Sequence, residues 1–253
     1  MRALLVASFV SAAVLPTAAF AHPHVPGDPF ADVGDTIVAG SPRVAAIRGP
    51  SRERWNVTDV RDGDRRPVGT IEQRVTRVDT PAGRQWCVAV VSRDAAGSET
   101  QRDSMWVSAG SPIPIRWAMD RGAFTFEVRQ VTGTYASGGR TIDDATIHLA
   151  HAVYPEPLEI CLWSRLDYSD STEAVALAFF DPDFGEFRQA IAVAGQTGLD
   201  HAGRERRCWM VTVAEDRPLA LNRTLWIDAT THALLREDVR DASGALVEVV
   251  EAE

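Results

Sequence analysis

From Arg54 onward, apolar and polar residues alternate with a period of two in short runs separated by turn-forming residues. This is the pattern of strands with one buried and one solvated face. It predicts strands over 54–60, 70–78, 85–92, 104–108, 113–119, 123–130, 174–180, 187–193, 208–214, 223–228, 233–239 and 245–250. Turn signals fall between many of them, among them Asp62-Gly63, Pro81-Ala82-Gly83, Asp120-Arg121-Gly122 and His201-Ala202-Gly203. Short strands joined by tight turns form a mostly antiparallel sheet. One stretch departs from the rhythm. Leu158, Cys161, Leu162 and Leu166 recur at helical spacing behind Pro157, which predicts one short central helix lying on a face of the sheet. The segment 142–153 reads equally as strand or helix.

The first residues are of another kind. Met1-Arg2 is followed by an uncharged apolar run, Ala3 to Leu15, then Pro16 and the small-x-small ending Ala19-Phe20-Ala21. The run is shorter than the ~20 residues that span a bilayer, so it reads as a secretory signal (1–21) cleaved near Ala21. No cysteine follows it to carry a lipid anchor, and no later segment is long and apolar enough to span a membrane. A soluble periplasmic or secreted bacterial protein is expected. Residues 22–50 hold five prolines (Pro23, Pro26, Pro29, Pro42, Pro50) and scattered glycines, which predicts a loosely ordered arm. The remainder, 51–253, is expected to be a single β domain.

Composition narrows the chemistry. All 26 basic residues are arginine, which excludes lysine Schiff bases and lysine-dependent phosphate loops. Against 35 acidic residues the formal net charge is −9, so no overall attraction to nucleic acid is expected. Cys87, Cys161 and Cys208 each sit in an apolar run. They are either three buried thiols or one disulfide and a free thiol, and the spacing does not say which two would pair.

The two halves of the chain, about 54–130 and 174–250, echo each other. Residues 84–91 match 206–213 in pattern, and Met105-Trp106-Val107-Ser108-Ala109 matches Leu225-Trp226-Ile227-Asp228-Ala229, with Arg116 and Arg236 ten residues past each tryptophan. One sheet built from two similar strand sets is the expectation. The closing segment, Cys208 to Val213 and then Thr224-Leu225-Trp226-Ile227-Asp228-Ala229-Thr230-Thr231-His232-Ala233-Leu234-Leu235-Arg236-Glu237, resembles bacterial exported proteins of unknown function related to the lipoprotein-carrier (Lol-like) superfamily. That resemblance implies a curved antiparallel half-barrel plugged by helix, with non-covalent binding of an apolar molecule, lipid or acyl chain on the concave face. Trp106, Trp226, Leu162 and Trp163 are the candidate cavity residues; ordinary sheet core is the competing reading for the seven tryptophans. The alternative is a structural or protein-interaction module with a filled core.

Other candidate sites are weak. His22-Pro23-His24 would follow the cleavage site, but Pro23 has no amide hydrogen to surrender to Cu(II), so His22 and His24 are a broken copper motif. Asp181-Pro182-Asp183-Phe184-Gly185-Glu186 reads as a hairpin turn, not a calcium loop. No nucleophile elbow, zinc-protease helix, dinucleotide turn or paired Cys-x-x-Cys is present. A monomeric non-enzyme without cofactor or resident metal is therefore expected.

Overall fold

The structure, a computed structural model, describes residues 30, 33–81, 83–137, 140–169, 174–217 and 221–253. The signal segment, His22 and His24 lie outside the described residues. Sixteen strands form one sheet: β1 (Thr36–Ile37), β2 (Ser51–Arg61), β3 (Asp64–Thr80), β4 (Gly83–Asp94), β5 (Glu99–Ser108), β6 (Pro114–Met119), β7 (Gly122–Glu127), β8 (Gln130–Ser137), β9 (Arg140–His148), β10 (Tyr154–Pro155), β11 (Val175–Asp181), β12 (Gly185–His201), β13 (Arg204–Glu215), β14 (Asn222–Asp228), β15 (Leu234–Arg240) and β16 (Leu246–Ala252). A 3-10 turn, Glu156–Leu158, runs directly into α1 (Glu159–Trp163), the short central helix. All twelve predicted strands fall on these elements. The run over 123–130 breaks, because Arg129 adopts a left-handed φ of 60° in the tight turn between β7 and β8. The ambiguous 142–153 resolves into β9, a loop and the start of the approach to β10.

The strand order is β1-β11-β12-β13-β14-β15-β16-β2-β3-β4-β5-β6-β7-β8-β9. The chain therefore lays β11–β16 beside β2–β9, joined where β16 pairs antiparallel with β2. Every pairing is antiparallel except those of β1 and β10, which both run parallel to β11. A twisted sheet this wide must curl. It curls until its far ends meet through side chains rather than through a backbone ladder. Phe180 of β11 meets the ring of Phe124 of β7 edge-on at 5.3 Å, and Tyr135 Oη of β8 donates to Asp183 Oδ2 at 2.7 Å. Just beyond β9, Ala150 N donates to Glu186 Oε2 at 2.6 Å. The barrel is thus left unclosed by a backbone ladder but joined along a seam of aromatic rings and side-chain hydrogen bonds.

The concave face holds the core. Trp55, Leu162, Trp163, Tyr154, Phe179 and Phe180 are all buried there, together with α1. Two of the large buried rings place their polar ends on backbone carbonyls: Trp55 Nε1 donates to Leu234 O at 3.0 Å, and Tyr168 Oη donates to Trp163 O at 2.6 Å.

Residues 33–50 are not the loose arm that their composition suggests. Ile37, Val44 and Ile47 are buried in the same core, and β1 adds to the sheet edge beside β11. Val44 bridges to Leu166, Ala45 N donates to Arg165 O at 3.0 Å, and Ala39 N donates to Ala152 O at 2.9 Å. Three apolar anchors spaced among prolines are enough to tie the segment across one end of the barrel.

Because Phe180 sits at the seam and is wholly buried, Phe180→Ala should cost about 3–5 kcal/mol in urea unfolding. Val128→Ser, at a position 84% exposed in the β7–β8 turn, should shift stability by no more than about 0.5 kcal/mol and serves as the control.

Candidate functional site

The four sequence-predicted cavity residues separate into two pairs. Leu162 and Trp163 reach the concave face, but both are at 0% exposure in packed core and fill space rather than line an opening. Trp106 and Trp226 lie on the other face. On β5, Met105 and Val107 point into the core, so Trp106 between them points outward; on β14, Leu225 and Ile227 do the same to Trp226. Each outer tryptophan pairs across strands with the echoed arginine, which stacks on it: the Arg116 guanidinium lies 5.2 Å from the Trp106 ring and that of Arg236 lies 5.3 Å from Trp226. Both pairs sit at a register shift, between Trp106/Val107 and Trp226/Ile227.

The strand registers around the two tryptophans correspond, but one residue out from the sequence alignment. Trp86 pairs with Val107 as Trp209 pairs with Ile227, and Cys87 opposes Trp106 as Met210 opposes Trp226. Trp86 therefore corresponds to Trp209, not to Cys208. The three cysteines are free thiols, Cys161 and Cys208 buried and Cys87 half-buried.

The segment that carries the family resemblance also has a local structural explanation. Trp226 and Arg236 form the stack just described, and Asp228 caps the β14–β15 turn, its Oδ1 accepting from Thr230 N at 2.9 Å and Thr231 N at 2.8 Å. Burial works against ionisation of Asp228, but these amides outweigh it and hold the carboxyl below its ordinary range. The acidic run at 181–186 is likewise a turn: Asp181 Oδ1 accepts from Asp183 N at 2.6 Å and Phe184 N at 3.2 Å. Among the described residues no group of three His, Cys, Asp or Glu side chains could hold a metal.

Sequence reading missed the most charged part of the interior. Arg217, just past β13, contacts Glu215 at 2.6 Å, Glu156 at 2.8 Å and Asp181 at 3.4 Å. Arg223 of β14 contacts Glu159 at 2.9 Å, Glu215 at 3.2 Å and Glu237 at 3.4 Å. Gln189 of β12 stitches the layer, donating to Glu159 Oε2 at 2.8 Å and Glu215 Oε1 at 3.1 Å while accepting from Trp163 Nε1 at 3.3 Å. Two guanidiniums cannot neutralise five carboxylates, so the layer takes up protons. Burial, followed by repulsion from Asp181, holds Glu156 well above its ordinary value. Burial also pushes Glu237 up to about 7 despite the attraction of Arg223. Glu215, equally desolvated, is held below the ordinary range because it lies between both arginines. With Arg223 itself buried, the layer pins α1 to β11, β13, β14 and β15, and two of its members, Glu156 and Asp181, border the smaller hollow of the molecule.

The opening that could admit a ligand lies at the end of the barrel crossed by residues 33–50. A cleft of about 960 Å³ is bounded by that segment, the start of β2, the loop after α1, the start of β11 and the β14–β15 turn. Ile37, Leu166, Tyr168, Val175 and Ile191 supply its apolar wall, and Arg43, Arg48, Ser51, Glu53, Arg165 and Asp167 its polar one. None of Trp106, Trp226, Leu162 or Trp163 lines it. A smaller hollow of about 170 Å³ near Asp103, Trp117 and Tyr135 lies at the opposite end. There burial raises the Asp103 carboxyl, opposed by the Trp117 indole, which donates to it at 2.8 Å.

No family model matches the chain, and no curated protein matches it. Solved structures similar to it include a Bacteroides fragilis protein inferred to be exported, with a YmcC-like fold, at 10% identity and TM-score 0.43 over 83% of this chain and 97% of that one. A Parabacteroides distasonis protein inferred to be a lipoprotein gives 11% identity and TM-score 0.38 over 85% and 97%. The hypothetical lipoprotein YmcC of Escherichia coli gives 11% and 0.27 over 82% and 89%. At these values nothing of those proteins is transferred to this chain.

The ionic layer makes stability depend on pH in a defined direction. Glu237, about 7 in the fold against an ordinary 4.5, and Glu248 of β16, raised by burial and by the neighbouring Glu237 to about 8, keep protons that the unfolded chain releases. Arg223 opposes both shifts, while Glu159, Glu215, Asp238 and Asp59 reinforce one or the other. Their contribution is fully present below about pH 4.5 and is lost as pH rises through 7 and 8. Urea midpoints should therefore fall between pH 5 and 8.5, and Glu237→Gln should flatten that fall. Arg223→Met, which removes the cation from Glu159 and Glu237 and leaves Glu215 with Arg217 alone, should cost about 3–5 kcal/mol.

Proposed function

We propose that the protein is a non-catalytic binder, exported to the periplasm or the exterior, that takes an apolar or acyl-chain ligand in the end cleft. The observation that carries this reading is the cleft itself: about 960 Å³, lined by apolar residues such as Ile37, Val175 and Ile191 together with charged and polar ones. Ligand pockets run to roughly 300–1,000 Å³, so the cleft has room for a small molecule or a chain. The non-catalytic part of this reading draws on the thiols. Burial raises all three thiols, Cys208 to about 11, so none is a ready thiolate. Ser164 in the cleft directs its hydroxyl to Ile160 O and Cys161 O at 3.3 and 3.1 Å. Export is supported by the Met1–Ala21 segment.

A second reading, a structural or interaction module, is favoured by one observation: Leu162 and Trp163 already fill the concave face. The two are separated by native mass spectrometry of protein isolated from its own host, before and after organic extraction, with uptake of a fluorescent fatty acid by the extracted protein. The binder should carry extractable lipid and take up the probe. Ile191→Trp, which fills the cleft, should weaken uptake by about tenfold or more, equivalent to about 1.4 kcal/mol. Trp106→Ala and Trp226→Ala should leave uptake unchanged. Absence of both lipid and uptake decides for the filled module.

A further inference from the structure

The polar wall of the end cleft contains groups that the fold leaves uncommitted. Glu53 is on β2, on the same face as the core residue Trp55, and is half-buried. Among the described residues its carboxylate has no hydrogen bond and no ion pair, although burial raises it and Arg165 partly offsets that effect. The Ser51 hydroxyl, two residues earlier on the same face, is buried without a hydrogen-bond partner. Arg165 is half-committed: its Nη1 donates to Cys161 O at 2.6 Å and Ser164 Oγ at 3.0 Å. Its Nε and Nη2 make no hydrogen bond among the described residues. Arg43 and Arg48, both exposed on the segment that crosses the cleft, form no ion pair there either.

Glu53 and Arg165 thus face one cleft without joining. An apolar ligand alone would leave a desolvated carboxylate unpaired, which costs more than an ordinary lost hydrogen bond. A purely anionic head would meet three guanidiniums but would be repelled by Glu53. A head that carries both signs meets Glu53 and the guanidiniums at once, its cationic end also matching Asp167 of the same wall. We propose that the cleft takes a zwitterionic single-chain amphiphile: an ammonium at Glu53 and Ser51, a phosphate at Arg165 with Arg43 and Arg48, and the chain along Ile37, Val175 and Ile191. This is the chemistry of a monoacyl phospholipid with an amine head. The inference rests on the cleft-binding reading above and specifies its ligand.

The test uses the full mature chain and three probes with the same acyl chain: a monoacyl phosphoethanolamine, a monoacyl phosphoglycerol and the free fatty acid, each titrated below its micelle concentration by calorimetry. The phosphoethanolamine should bind about tenfold more tightly than the phosphoglycerol, the worth of one charge-assisted hydrogen bond. Glu53→Gln should erase that ratio without weakening the phosphoglycerol. Arg165→Gln should weaken both phospholipids about tenfold and the fatty acid less, and the double variant Arg43→Gln/Arg48→Gln, at exposed positions that cannot unfold the protein, should weaken both phospholipids in the same sense. Equal affinity for all three heads, or a ratio that survives Glu53→Gln, overturns this inference while leaving the cleft-binding reading intact. No binding of any probe, with Ile191→Trp indistinguishable from the parent, overturns both.

Discussion

The rest of the structure depends on the way Arg217 and Arg223 hold a very short helix inside a very wide sheet. α1 has five residues, far too few to persist by its own backbone hydrogen bonds. It is fixed because Glu156 and Glu159, just before and at its first turn, are gripped by guanidiniums from the far side of the barrel, while Gln189 ties Glu159 to Glu215. Desolvating so many charges is costly, and the proton uptake at Glu156 and Glu237 lowers that cost without breaking the network. The ring of Trp163 then lies under Arg223 at 5.6 Å, so the same cation that neutralises the layer also packs the largest side chain of the helix.

With the helix in place, the curl of the sheet follows. A concave face already filled by α1 and by Trp55 lets the two edges approach until Phe180, Phe124 and Phe126 meet. The two ends of the barrel then differ. Charge and aromatic rings occupy the end near Asp181 and Glu215, whereas residues 33–50 only cross the other and leave the cleft beside Ile37. The apolar space expected on the concave face is thus displaced to the barrel's end, because the helix and its ionic layer take the middle.

Most of the sheet was legible because alternation is a local property. Twelve of the sixteen strands and the central helix follow from it directly, as does the hairpin character of 181–186, whereas β8 beyond Gln130 fell in no predicted run and β9 lay largely in the stretch that read equally as strand or helix. The face on which a residue lies was also legible, yet it needs parity rather than hydrophobicity. Trp106 shares parity with Ser104 and Ser108, and Trp226 with Thr224 and Asp228, whereas Met105, Val107, Leu225 and Ile227 take the other face. The echo, which puts the two tryptophans in equivalent positions, suggested the cavity for residues that their strand parity turns outward. The β1 and β10 strands left almost no trace, since two residues paired in parallel with a distant strand carry no periodicity. The ionic layer left none, because its members are spread from Glu156 to Glu237 and buried arginines look like surface ones in sequence. The one available hint was again parity: Arg223 falls in step with Leu225 and Ile227.

The helix also explains how the cleft acquires a fixed charge. Arg165 follows α1 by two residues, and its Nη1 is held by Cys161 O, a carbonyl at the helix's C-terminal end. That carbonyl end favours a cation, so the guanidinium is oriented by the helix rather than by a carboxylate partner. Glu53, on the opposing strand, is positioned by the β2–β3 ladder, where it pairs with Gln73. Two opposite charges are therefore mounted on separate rigid supports. The ionic layer fixes one support and the sheet fixes the other, so they face the cleft without collapsing onto each other as an ordinary surface pair would.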